Sequence, residues 1–308
     1  MSDGSLPPAP ASAPWAPYVM RRQPRIEMVP MRSGRIAVTH WGPGKRPPIV
    51  MLHGMLDCAA SYQFVVDCLP DDWDLAAVDW RGYGHSDDRP DLYWLPDNFA
   101  DLEVLLDRLT PNEPARVIGH SLGGTVATSH AGIRPGRYRW LVNIEGFGMP
   151  SRSHTPAPVR ITRWLDELRR LASPKRYASL EELAVRVARR HPRLPQDRAH
   201  YLAWAWSREV EGGFEIAADP KHRLMQPLRL RREDLDECWS QIRCPMLLLL
   251  GSESEFLTRV GGDVELARWR QLVPHMRVEF IAGAGHMVPH EQPERLASEI
   301  VRFVNAHP

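Results

Sequence analysis

The feature that most constrains this chain is an alternation. Short apolar runs that stop at turn residues are separated by stretches whose apolar residues recur at helical spacing. Residues 48–52 end at His53-Gly54, residues 73–78 at Asp79, residues 115–119 at His120, residues 140–144 at Glu145-Gly146, and residues 245–250 at Gly251. Runs of this length suit strands covered on both faces. Residues 35–41 and 276–281 read as further strands. Between them, Phe99, Leu102, Leu105, Leu106 and Leu109 mark a helix, as do residues 125–133, 264–272 and 293–304. Such alternation implies a doubly wound, mostly parallel α/β sheet. With 308 residues the chain is long enough for one such domain carrying an insertion.

The alternation fails from residue 149 to residue 237. Amphipathic stretches at 161–171 and 180–190 have no apolar strand between them, so this segment is expected to be an inserted helical cap. The expected organisation is then a Pro-rich disordered N-terminus (1–25), a core from 26–148 and 238–308, and the cap between. The N-terminus lacks a basic stretch followed by an apolar one and does not read as a secretory signal. No run of 18 apolar residues exists, so no membrane span is expected. Cys58, Cys68, Cys238 and Cys244 fit neither a zinc nor a redox spacing and are expected to be free thiols in a cytoplasmic protein. With 39 basic and 38 acidic side chains, the charge balance points to neither nucleic acid nor an anionic surface as partner. Oligomeric state is not readable.

One motif carries chemistry. Gly119-His120-Ser121-Leu122-Gly123 lies between a buried strand and a small-residue helix. A serine in that setting projects its hydroxyl from a sharp turn, and flanking glycines leave the turn room to form. A base is needed late in the chain. His286, in Gly283-Ala284-Gly285-His286, is the first candidate and His290 the second. The N–H groups of Met55, after His53-Gly54, and of Leu122 are candidate oxyanion donors. No metal-ligand spacing and no dinucleotide fingerprint is present, so neither metal nor cofactor is implied.

In this order His53-Gly54, residues 79–86 (Asp-Trp-Arg-Gly-Tyr-Gly-His-Ser), residues 119–124 and Gly283–His286 resemble the α/β-hydrolase superfamily. The resemblance runs from about residue 35 to residue 304. It implies a structural turn at 79–86 near the site entrance and a cap domain at 149–237. It also implies a triad acid, and here the chain departs from the commonest pattern. Most relatives carry an aspartate three residues after the glycine that ends the penultimate strand, where this chain has Ser254. A subset, including some haloalkane dehalogenases, draws the acid from the end of an earlier central strand. Glu145 stands there, with Glu255 as the alternative.

The expected function is a serine hydrolase that cleaves a small carboxylic ester or related acyl compound through an acyl-enzyme. Carbon–carbon bond hydrolysis with the same triad, and a non-catalytic ligand-binding role, are the alternatives. In the cap, Trp204 and Trp206 are candidate substrate-binding residues. Trp164, Trp239, Tyr177, Tyr201 and Phe214 are candidate lining or packing aromatics. Arg160, Arg163, Arg169, Arg170, Arg186, Arg189 and Arg190 read as a solvated face.

Overall fold

The computed structural model describes residues 18–148, 155–171, 173–228 and 230–308. The chain opens with strands β1 (Arg25–Pro30), β2 (Arg35–Trp41) and β3 (Ile49–Leu52), then a short helix α1 (Gln63–Val66) and strand β4 (Leu75–Val78). Helix α2 (Leu95–Leu109), strand β5 (Ala115–His120), helix α3 (Leu122–Ile133) and strand β6 (Tyr138–Ile144) follow. The inserted segment holds α4 (Ala157–Arg169), β7 (Arg176–Tyr177), α5 (Leu180–Arg190), α6 (Gln196–Ala205), β8 (Ser207–Val210) and β9 (Gly213–Ile216). The core then resumes with α7 (Arg232–Ser240), β10 (Met246–Gly251), α8 (Glu255–Val260), α9 (Asp263–Leu272), β11 (Met276–Ile281), α10 (Val288–Glu291) and α11 (Pro293–Ala306).

Eight strands form the main sheet in the order β1-β2-β4-β3-β5-β6-β10-β11. From β4 to β11 all neighbours are parallel, and β1 and β2 are antiparallel additions at one edge. The apolar runs are continuous because both faces are covered. Met246, Leu248 and Leu250 pack on the side of α2, α3, α7 and α9, while Leu247 and Leu249 pack on the side of α1 and α11. This is the doubly wound α/β architecture that the alternation demands.

Register places the site. Leu52 pairs with Gly119, His120 with Ile144, and Ile144 with Leu249. The carboxyl ends of β3, β5, β6 and β10 therefore lie side by side, and the residues that follow them share one sheet edge. Open parallel sheets bind ligands at such an edge.

Three expectations need correction. The cap is not purely helical: β7, β9 and β8 form a small antiparallel sheet. Its hairpin turns at Glu211-Gly212, with Gly212 and Gly213 at φ 82° and 138°, values that favour glycine. The core resumes near residue 232 rather than 238, because α7 packs on α3. Trp239, read as a cap aromatic, is a buried core residue whose Nε1–H donates to Ser129 Oγ. Finally, the disordered lead-in cannot extend to residue 25. Tyr18 Oη–H donates to Asp67, the N–H groups of Arg21 and Arg22 donate to the same carboxylate, and Arg22 reaches the carbonyl of Trp73. Residues 1–17 lie outside the described residues. Among those described, no helix is long and apolar enough to cross a membrane.

Candidate active site

Ser121 sits between the last residue of β5 and the first of α3, at φ 50° and ψ −112°. Such a conformation costs a non-glycine residue on the order of 1–3 kcal/mol and persists only where surrounding packing enforces it. The packing is visible in the flanking glycines. A Cβ on Gly123 would lie 2.1 Å from the carbonyl oxygen of Leu52, and one on Gly119 would lie 2.5 Å from that of Gly123. Gly123 N–H also donates to the carbonyl of His53, at 3.1 Å, tying the turn to the end of β3.

Among the described residues three non-glycines have positive φ: Leu56, Ser121 and Glu145. Each stands just beyond the carboxyl end of a strand, and all three belong to the same sheet edge. Backbone strain is thus concentrated where chemistry is expected.

His286 joins two of them. Its Nε2 lies 3.0 Å from Ser121 Oγ and its Nδ1 lies 2.9 Å from Glu145 Oε2. A carboxylate can only accept, so Nδ1–H donates to Glu145 and Nε2 is left to accept the serine proton. Glu145 is 1% exposed, and both of its oxygens are engaged. Gly251 N–H donates to Oε1 at 2.7 Å, and Ser254 Oγ–H donates to Oε2 at 2.5 Å. Ser254, at the position where the sequence pattern expects the acid, thus hydrogen-bonds to Glu145 and fixes its carboxylate. The two flanking glutamates point elsewhere. Glu255 is largely exposed and pairs with Arg259 at 2.7 Å, and Glu253 pairs with Arg193 at 2.9 Å.

The imidazole of His286 is fixed on its face as well. The Phe256 ring stacks on it at 3.9 Å and 17°. Aromatic stacking favours the protonated ring that attack would generate. Behind it, His120 Nε2–H donates to the carbonyl of His286 at 2.9 Å. Burial, with the repulsion that a proton on His286 would add, lowers the pKa of His120 to about 3, so its ring is neutral at ordinary pH.

The candidate oxyanion turn is built around His53. Trp80 N–H donates to His53 Nε2, so Nδ1 carries the proton and donates to the Gly54 carbonyl at 2.7 Å. Met55 and Leu122 follow β3 and β5, whose ends are paired through Leu52 and Gly119. Their N–H groups donate to no acceptor among the described residues. The turn at 79–86 is braced by Asp79, which accepts from the N–H groups of Ala59 and His85.

His290, the second candidate base, is elsewhere. Its Nε2 faces Asp57 at 3.4 Å, with both side chains buried. Burial opposes the Asp57 charge, yet the His290 charge and hydrogen bond, His53 and the Ser61 hydroxyl together hold its carboxyl well below the usual range. Asp57 also accepts from Trp206 Nε1–H at 2.7 Å, which links the core to the cap.

Above the sheet edge lies a cavity of about 1210 Å³. It meets the core at Met55, Leu56 and Met287, and α4, α5 and the 220–224 turn supply most of its remaining walls. Trp206 lines it. Trp204 does not; its ring packs against Tyr201 at 5.2 Å. Sequence reasoning missed His120, Ser254, Phe256 and Asp57. Only Ser254 had a signal, its place in the usual acid position.

A strained serine on a tight strand-to-helix turn, set at the carboxyl edge of a parallel sheet under an inserted cap, defines the α/β-hydrolase fold class. The chain belongs to the alpha/beta hydrolase family, whose pattern it matches over residues 49–299, and it is a hydrolase. A serine hydrolase-like protein of Mus musculus is 34% identical over 88% of this chain and 92% of that protein. A 2-(acetamidomethylene)succinate hydrolase of Mesorhizobium japonicum is 27% identical over 89% of this chain and 93% of its own length. The solved structure of a Mycobacterium tuberculosis esterase is 26% identical, covers 92% of each chain and superposes with a TM-score of 0.74.

Proposed function

We propose that the protein is a serine hydrolase that cleaves a carboxylic ester or related small acyl compound through an acyl-enzyme. One observation carries this reading: the continuous series of hydrogen bonds from Ser121 through His286 to Glu145. In the first half-reaction Ser121 Oγ attacks the acyl carbon and its proton passes to His286 Nε2. The tetrahedral oxyanion is held by the N–H groups of Met55 and Leu122. Collapse breaks the bond to the leaving group, which takes the proton from His286. Water then repeats the sequence, with His286 as its base, and releases the carboxylic acid. Glu145 keeps Nδ1 protonated and stabilises the imidazolium at each stage. Trp206 shapes the cavity. The three relatives named above are hydrolases by name and differ in the substrate their names give.

The test is covalent. A serine-directed fluorophosphonate should add one adduct to the wild-type protein, on Ser121. Ser121→Ala should take none, keep its melting temperature and lose ester turnover by at least about 10³-fold, the scale of a lost triad member. An adduct on another residue, or unchanged turnover in the variant, overturns the assignment.

A further inference from the structure

The walls of the cap cavity carry an unbalanced charge. Among the described residues Arg163, Arg170, Lys175, Arg186, Arg190 and Arg223 line it, against Asp166 and Glu167. The chain as a whole is nearly neutral, with 39 basic and 38 acidic residues, so this excess is local. Elsewhere some arginines are matched, Arg35 with Asp87, Arg81 with Asp101 and Arg232 with Glu265, while those unmatched among the described residues, such as Arg25, Arg46 and Arg243, are scattered rather than gathered on one wall. In the cavity Arg163 pairs with Glu167 at 2.6 Å and Lys175 stands 4.0 Å from Glu182. Arg170, Arg186, Arg190 and Arg223 have no carboxylate within ion-pair distance among the described residues.

Two ordinary explanations fall short. Arg190 is in the last turn of α5, where the helix dipole favours a cation, but Arg186 is a full turn earlier and Arg223 belongs to another element. A merely solvated face would not need to converge on one concavity. Arg186 and Arg190 are four residues apart on α5, an arrangement that repels within a helix unless an anion lies between them. Arg186 and Lys175 both lie over the Tyr177 ring, at 5.9 and 4.7 Å, so that part of the wall is held in place. Burial lowers the pKa of His191, also on the wall, to about 4, so it presents a neutral donor or acceptor rather than more charge. A concave wall of one sign focuses its field on what enters.

We propose that the substrate is an organic anion. Its carboxylate or phosphate group is held by Arg170, Arg186, Arg190 and Arg223, while its acyl carbon lies at Ser121. The charged group belongs to the part of the substrate remote from the scissile bond, because the core side of the cavity is Met55, Leu56 and Met287, next in sequence to the oxyanion turn and to His286, whereas its cations are on the cap. This inference rests on the acyl-hydrolase reading and narrows it.

The experiment compares 4-nitrophenyl hexanoate with the 4-nitrophenyl monoester of adipic acid, which differs in ending in a carboxylate, and with the matching phosphonate-ended ester. At low salt, kcat/KM should favour at least one anionic ester by about 10-fold or more, and 0.5 M salt should shrink the advantage. The arm that is preferred names the anion. Arg186→Gln/Arg190→Gln should cut the anionic-to-neutral ratio by about 10- to 100-fold, chiefly through KM, as lost charge-assisted hydrogen bonds do. No anionic preference in the wild type, or a ratio unmoved by the double substitution, overturns the proposal. Calorimetric binding of adipate separates the two failures. If Ser121 takes no phosphonate and no ester turns over, the acyl-hydrolase reading has failed. Adipate that binds the wild type and not the double variant supports the anion site even then, and adipate that fails to bind while the neutral ester turns over refutes the anion site alone.

Discussion

Helices α3 and α4 have nearly the same length and opposite lives. Ten of the twelve residues of α3 are buried, and it carries Ser121 at its start. None of the thirteen residues of α4 is buried, and it roofs the cavity. The same contrast extends to charge. Two buried groups of the core are closely matched: Glu145 accepts from His286, Gly251 and Ser254, and Arg81 is locked to Asp101. In the cap, several cations face open space. The reacting groups need positions fixed to a fraction of an ångström, which a close-packed interior supplies. Substrate choice needs a surface that can vary without unfolding the sheet, and a loosely packed helix supplies that.

The largest expected effect lies on the core side of this contrast. Glu145→Gln replaces a carboxylate that keeps His286 Nδ1 protonated with an amide that can present the wrong group. Turnover should fall on the order of 10⁴-fold, with KM little changed. Glu255→Gln, on an exposed pair with Arg259, should change turnover by less than about twofold. Steady-state kinetics of both variants on one neutral ester decide it. Equal losses at the two positions would remove Glu145 from the triad.

A smaller effect concerns pH and stability. His120 is fully buried with its pKa lowered to about 3, and an unfolded histidine titrates near the ordinary 6.5. Below pH 6.5 the unfolded chain takes up a proton that the folded chain refuses, so stability falls as pH drops from 6.5 towards 3 and is unaffected above 6.5. Between pH 6.5 and pH 5 this costs about 2 kcal/mol for His120 alone. His191 and His222 in the cap, both lowered to about 4 mainly by burial, act in the same direction. His191 contributes less because water reaches it. Chemical denaturation at pH 7 and pH 5 measures the sum, and an NMR titration of the His120 ring measures its part. A ring that protonates above pH 5 would contradict the account.

The contrast between core and cap also marks what was legible in the sequence. Strands β3, β4, β5, β6 and β10 announced themselves because burial on both faces leaves continuous apolar runs. Strand β1 (Arg-Ile-Glu-Met-Val-Pro) did not, since it is an edge strand with only Val29 fully buried. The cap strands are two to four residues long and partly exposed, so no periodicity marks them; the Gly212-Gly213 pair was the signal available. Glu145 was readable as a strand-end carboxylate beside the serine turn. The bond from Ser254 to Glu145 was not, because it depends on β6 and β10 ending level with each other. Arg163, Arg170, Arg186 and Arg190 read as a solvated face, since helical spacing says which residues share a side but not what that side overlooks. The structure puts those four on the cavity wall, together with Lys175 and Arg223.

The smallest expected effect tests the loose attachment of α4 itself. Leu165 is 46% exposed on α4, whereas Leu105 on α2 is fully buried against the sheet. Leu105→Ala removes packed atoms from an interior that collapses only in part, and should cost about 2–5 kcal/mol. Leu165→Ala removes atoms already half in water, and should change stability by no more than about 0.5 kcal/mol. Alanine also has the better helix propensity, though by only about 0.2 kcal/mol, so even a slight gain is within reach. Urea denaturation of the two variants makes the comparison directly, since both delete the same side chain from a helix. A loss of 2 kcal/mol or more at Leu165 would mean that α4 is packed in solution against something that buries its apolar side. The roof of the cavity would then be as fixed as its floor, and its residues could no longer be treated as free to set substrate choice independently of the fold.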